Sequence, residues 1–210
     1  MARTHGVLGA LVLLVLLVGC GSTSDSGAPV TGVSTSDDDG YHGILLDKAY
    51  AVPGIQLTDT EGKPFDLATQ PRRTLVFFGY TNCPDICQVV MSTIASATAR
   101  LTAAEQQHLE VAFVTTDPAR DTRPALRTYL DRFDPDFVGV TGPLERIDAL
   151  AQTMDIFIKH GEKLPSGGYE VSHGTVVVSV REGAGDLLWT GATSPSDMAE
   201  DLQKILKEDA

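Results

Sequence analysis

Apolar positions along this chain fall into short runs and helical stripes that alternate from the middle of the sequence to its end. The densest run is Leu75-Val76-Phe77-Phe78, rich in β-formers and short enough for a buried strand. Gly79-Tyr80-Thr81-Asn82 breaks it. Pro84 follows Cys83 directly, and Pro suits the first position of a helix because its missing N–H would have no partner there. Ile86, Val89, Val90 and Ile94 then recur at helical spacing, which predicts a helix over 84–101. Upstream, 52–59 and 64–67 alternate around Glu61-Gly62-Lys63 and read as a short hairpin.

Downstream, 110–116 is a second apolar strand that ends at Asp117-Pro118. A helix over 124–133 follows, with Asp121 or Thr122 as its cap, and then a short strand over 137–140. Leu144, Ile147, Leu150, Ala151, Met154 and Ile158 predict a helix over 143–158. The stretch 160–172, holding Pro165, Gly167 and Gly168, reads as a long irregular loop of the kind that often carries function. Strands over 175–180 and 186–190 form a second hairpin. A closing amphipathic helix spans 196–207, with Ser194 or Ser196 as cap. Strands alternating with helices, then a hairpin and a last helix, predict an α/β or α+β domain with a central mixed sheet.

The N-terminus changes the picture. Arg3 precedes an apolar or small run over 7–18 that is too short for an ordinary spanning helix and suits an export signal. Its ending, Leu17-Val18-Gly19-Cys20, resembles the bacterial lipoprotein cleavage box, which implies that Cys20 becomes the lipid-modified first residue. A plain secretory signal or short membrane anchor would equally place the domain outside the cytoplasm. Residues 21–48 read as a linker rich in Gly, Ser, Thr and Asp, with His42 an ordinary member of it, and 49–210 as one domain. The formal net charge of −12 argues against nucleic acid as a partner, since phosphate binding wants a basic face. No internal repeat and no Walker or dinucleotide glycine pattern is present.

Two cysteines remain for chemistry. Cys83 and Cys87 sit where a buried strand hands over to a helix, whose partial positive charge favours thiolate, with Asp85 between them acting the other way. Residues four apart share a helix face, and their Cα atoms lie roughly 6 Å apart in an ideal helix, near the upper end of the disulfide range. Such a pair can oxidise, can hold one metal ion, or can be two small buried residues. A disulfide closing so small a loop would add little stability, which argues against a purely structural bridge.

Three stretches together resemble the Sco/SenC family. Phe78-Gly79-Tyr80-Thr81-Asn82-Cys83-Pro84-Asp85-Ile86-Cys87 is similar to its cysteine motif, Thr116-Asp117-Pro118-Ala119-Arg120-Asp121-Thr122 to its Asp-Pro-x-Arg-Asp-Thr stretch, and Tyr169-Glu170-Val171-Ser172-His173 to its histidine segment. The chain departs from the family at Asn82, Gln88, Ser172 and the turn 181–186, without removing a ligand. The resemblance implies a thioredoxin-like fold and copper bound through Cys83, Cys87 and His173. Two thiolates and an imidazole are a soft set that suits Cu(I), although zinc would accept it too. Ordinary thioredoxins place a cis-proline where Ser172-His173-Gly174 stands here, so a ligand side chain replaces a substrate-clamping backbone.

Asp117 ends its strand on the edge where Cys83 also lies, and is either a supporting partner of a ligand, a contact for a partner protein, or a plain Asp-Pro turn residue. Arg120 and Asp121 are expected to fix their loop, Tyr80 and Phe78 to shield the site, and Trp189 to pack in the core. His108 and His160 are expected at the surface, the latter with a possible part in copper transfer. The function that the resemblance implies is a monomeric, membrane-anchored copper metallochaperone facing the extracytoplasmic side. It would receive copper from a donor chaperone and deliver it to the dinuclear centre of cytochrome c oxidase subunit II or to another extracytoplasmic copper protein. The alternatives are a thiol–disulfide oxidoreductase acting on such a client and, further off, a peroxiredoxin-like peroxidase. The last lacks its Pro-x-x-x-Thr-x-x-Cys pattern.

Overall fold

The computed structural model describes residues 40–163 and 169–209. The expected leader, Cys20 and linker residues 21–39 lie outside them, as do Pro165, Gly167 and Gly168. Among the described residues an eight-stranded sheet runs in the order β1-β10-β9-β4-β5-β6-β2-β3. Its strands are β1 (Ile44–Ala51), β2 (Gln56–Asp59), β3 (Pro64–Asp66), β4 (Arg73–Gly79), β5 (Leu109–Thr115), β6 (Val138–Thr141), β9 (Val177–Arg181) and β10 (Ala184–Trp189). A separate two-stranded ribbon joins β7 (Ile158–Lys163) to β8 (Tyr169–His173). β4, β5 and β6 are parallel and the other pairings antiparallel, so the sheet is mixed, as expected.

All seven residues of β4 and of β5 are buried because both faces of the sheet are covered. The pleat sends alternate side chains to opposite cores. Leu75, Phe77, Val111 and Phe113 pack against α1 (Ile86–Thr98), α3 (Arg123–Leu130) and α5 (Pro195–Glu208). Val76, Phe78, Ala112 and Val114 pack instead with α4 (Leu144–Gln152), the β2–β3 hairpin and β1's flank.

Four sequence expectations are corrected. The linker ends earlier than residue 48, because β1 pairs with β10. Its sequence hides this, since the register shifts between Leu45 and Tyr50 and no clean alternation results. The junction is held by Asp201, whose carboxylate accepts the backbone N–H of His42 and of Gly43 at 2.8 Å each and the Trp189 indole N–H at 2.7 Å. The helix expected over 143–158 stops at Gln152: Asp155 takes a left-handed conformation (φ 54°) and the Ile156 N–H returns to the Ala151 carbonyl at 3.0 Å. The irregular stretch over 160–172 is largely the β7–β8 ribbon. Last, α2 (Ala103–Gln107) was not expected, although Thr102 and Glu105 form a reciprocal capping box that the sequence displays.

Candidate metal site

The cysteines stand at the C-terminal ends of the parallel strands, where loops that follow β4 and β5 meet. Gly79 closes β4, and a Cβ there would lie 2.8 Å from the Phe113 ring, so only glycine lets the two strands' ends pack this way. Its carbonyl accepts the Thr116 N–H at 2.7 Å and the Thr116 hydroxyl at 3.2 Å, which ties the end of β4 to the end of β5. The chain then turns, with the Cys83 N–H donating to the Tyr80 carbonyl at 3.2 Å.

The helix begins later than Pro84 suggests. Its cap is Asp85, whose side chain makes no capping bond, and the first helical residue is Ile86. Cys87 therefore lies in the first turn of α1, whereas Cys83 lies in the turn before it. Both are buried thiols rather than a disulfide, Cys83 at 6% exposure and Cys87 at 0%. Burial pushes the Cys87 thiol well above its ordinary range, and the adjacent Cys83 sulfur adds to this. A contact from the Tyr80 backbone offsets it only in part. The helix-start effect expected from the sequence is thus outweighed at Cys87 by loss of solvent.

Asp121 holds the cysteine loop. It is wholly buried and accepts the Thr81 N–H at 2.9 Å, the Thr81 hydroxyl at 2.5 Å and the Thr115 hydroxyl at 2.7 Å. Burial raises its carboxyl pKa, and the Asp117 charge adds, while the three hydrogen bonds pull it back. Thr122, not Asp121, caps α3. Asp117 is also wholly buried and forms an ion pair with Arg120, whose guanidinium lies 5.8 Å from the centre of the Tyr80 ring. Asp117 therefore bears on the cysteine loop through Arg120 and Tyr80.

Tyr80 packs in the same core as the cysteines, as expected. Phe78 does not: it belongs to the core on the other face of the sheet, because two residues apart keep the same face and Tyr80 follows a break in the strand. Trp189 is core, as expected, and His108 is exposed at the end of α2. His173 ends β8, paired directly with Ile158. Val171, two positions earlier on β8, is buried in the core that holds Cys83 and Cys87, and Ile158 packs against both cores. Strand β8 thus reaches the cysteine core through Val171. His160 pairs with Val171 and so shares strand parity with His173. The imidazoles of both histidines lie outside the described atoms. Among the described residues no three His, Cys, Asp or Glu side chains converge as a metal set. The described part of the site is therefore the pair of thiols with its Asp121 clamp.

The model of the SCO1/SenC family matches residues 47–207. This chain belongs to that family. A Stutzerimonas stutzeri protein whose name marks it as a candidate copper binder is 36% identical over 132 residues, covering 62% of this chain and 64% of its own length. The chain covers 38% to 64% of the length of that protein and of five SCO1 or SCO2 relatives. Among solved structures, apo Sco1 from Thermus thermophilus superposes with a TM-score of 0.71 at 30% identity, over 79% of this chain and 96% of that one. Bradyrhizobium japonicum ScoI with copper bound gives 0.65 at 26%, over 73% and 98%. The fold is thioredoxin-like, as the family resemblance implied.

Sequence reasoning missed Asp121 as the clamp of the cysteine loop. No local signal could have found it, since Asp121 and Thr81 are 40 residues apart.

Proposed function

We propose that this SCO1/SenC protein is a lipid-anchored, extracytoplasmic copper metallochaperone. Cys83, Cys87 and His173 hold one copper ion, which is passed to the dinuclear copper centre of cytochrome c oxidase subunit II. The observation that carries this reading is the pair of buried cysteines after the end of the buried strand β4, in the same core as Val171 of the His173 strand. Two neighbouring thiols, once deprotonated, make a soft-metal site. Family membership and the copper-bound relative agree with it.

Each residue has a task. Cys83 and Cys87 give up their protons to become ligands, and Asp121 holds the loop that carries Cys83. Cys83, the less buried of the two, is the ligand a client thiolate replaces first, so copper leaves by ligand exchange without change of oxidation state. Anchoring through Cys20 would keep the domain beside a membrane-bound client, and among the described residues no helix is long and apolar enough to cross a membrane.

The test is copper stoichiometry and the sulfur-to-Cu(II) absorption of the full chain against His173→Ala and a Cys83→Ser/Cys87→Ser double variant. One copper per chain, lost in the double variant and spectrally altered in His173→Ala, is the expected result. Copper uptake that ignores all three residues sinks the reading. A second reading is favoured by the adjacency of the two sulfurs: a thiol–disulfide oxidoreductase that reduces the client's cysteines. Cys83 would attack and Cys87 resolve the mixed disulfide. Thiol exchange that survives His173→Ala in a protein unable to retain copper would select it.

A further inference from the structure

Tyr129 of α3 is 2% exposed, yet its hydroxyl has no hydrogen-bond partner among the described residues. A buried orphan donor costs about 1–3 kcal/mol, so it calls for a reason. Its ring is held fast. Phe113 packs at 5.3 Å between ring centres and Phe133 at 5.2 Å, and the Arg132 guanidinium lies 4.7 Å from the ring centre. Tyr129 also shares a groove of about 460 Å³ with Thr81, two residues before Cys83, and belongs to the core that contains both cysteines.

Burial raises the Tyr129 pKa most, then Cys87, then Cys83; Arg132 acts to lower it and Asp121 to raise it, so the group remains a protonated donor at physiological pH. Thiols are weak acceptors. Thiolates are strong ones, because hydrogen bonds to ionised groups are about twice as strong as neutral ones. The site gains thiolates when copper displaces the thiol protons.

Building on the copper reading above, we propose that Tyr129 is a positioning residue for the loaded site: its hydroxyl, unpartnered among the described residues, donates to a cysteine thiolate once copper is bound. The orphan donor penalises the empty state and is relieved in the loaded one, so it biases the site toward holding copper. It also withdraws electron density from the sulfur, which raises the energy of the sulfur-to-Cu(II) transition.

Tyr129→Phe removes the hydroxyl alone and keeps the ring in its packing. In the full chain, three quantities are read: thermal unfolding of the reduced, metal-free protein, Cu(I) affinity by chelator competition, and the position of the sulfur-to-Cu(II) band. The metal-free variant is expected to melt at or above the wild-type temperature, Cu(I) affinity to fall about tenfold, and the band to move to lower energy. A merely structural role would move the melting temperature downward and leave the band in place. Wild-type Cu(I) affinity and band in the variant overturn this inference alone. A clearly destabilised metal-free variant also overturns it, because the hydroxyl would then have had a partner there. Wild-type protein that takes no copper overturns the copper reading first and this inference with it.

Discussion

Replacing Asp121 separates the role of its hydrogen bonds from that of its charge. In Asp121→Ala, the Thr81 N–H and the Thr81 and Thr115 hydroxyls all lose their acceptor, the Thr115 hydroxyl in a fully buried position and the two Thr81 groups in a half-buried one. A buried orphaned donor costs about 1–3 kcal/mol and a half-buried one that water can reach about 1 kcal/mol, and the three are not additive, so a loss of about 3 kcal/mol is expected. For a domain of this size that is about 10 °C in melting temperature. Asp121→Asn should behave differently. Its carbonyl can accept the Thr81 N–H and the Thr115 hydroxyl, and its amide can donate to the Thr81 oxygen once that hydroxyl turns, so the contacts persist without a buried charge.

The sign of the pH effect follows from the raised Asp121 pKa. The native state holds the proton more tightly than the unfolded state does. The stability this contributes is fully present below the unfolded carboxylate value, about 3.9, and is lost as pH rises through the raised native value. Asparagine has nothing to lose over that window. The stability of Asp121→Asn relative to wild type should therefore improve between about pH 4 and neutrality, ending within about 1 kcal/mol of wild type or above it. Urea unfolding at a series of pH values reads both effects. Wild-type stability in Asp121→Ala would refute the clamp, and equal damage in both variants would refute the argument that the charge is a burden.

Burial of Cys87 makes copper binding pH-dependent: a thiol held above its ordinary range must lose its proton to become a ligand, so Cu(I) affinity should rise by up to tenfold per pH unit per proton displaced. Chelator competition between about pH 6 and 8 checks it, and Cys87→Ser should flatten the slope by one proton. Asp201→Ala should cost about 3 kcal/mol, since it orphans the Trp189 indole and frees the backbone at His42 and Gly43. Urea unfolding followed by fluorescence of Trp189, the one tryptophan of the chain, reads the loss directly, and an unchanged midpoint would show that β1 is held by other means.

The sequence by itself determined the layered fold and the cysteine pair. Runs such as Leu75-Val76-Phe77-Phe78 and the stripe Ile86, Val90, Ile94 carry the periods of a buried strand and an amphipathic helix, and those periods arise from the backbone locally. The same holds for the break at Gly79 and for the Thr102–Glu105 cap, which was legible there though unread. Only the tertiary structure decided which face each strand residue takes: Phe77 and Phe78 must point opposite ways, but the crossover of β4, α1 and β5 sets which of them meets the cysteines. It also decided that Asp155 ends α4, since a left-handed turn there is stabilised by what it lets Met154 and Ile156 bury. The Asp121 clamp, the Asp201 clasp and the unpartnered hydroxyl of Tyr129 lie beyond local reading altogether. Each depends on groups far apart in the chain meeting where water is excluded, and such meetings leave no period in the sequence.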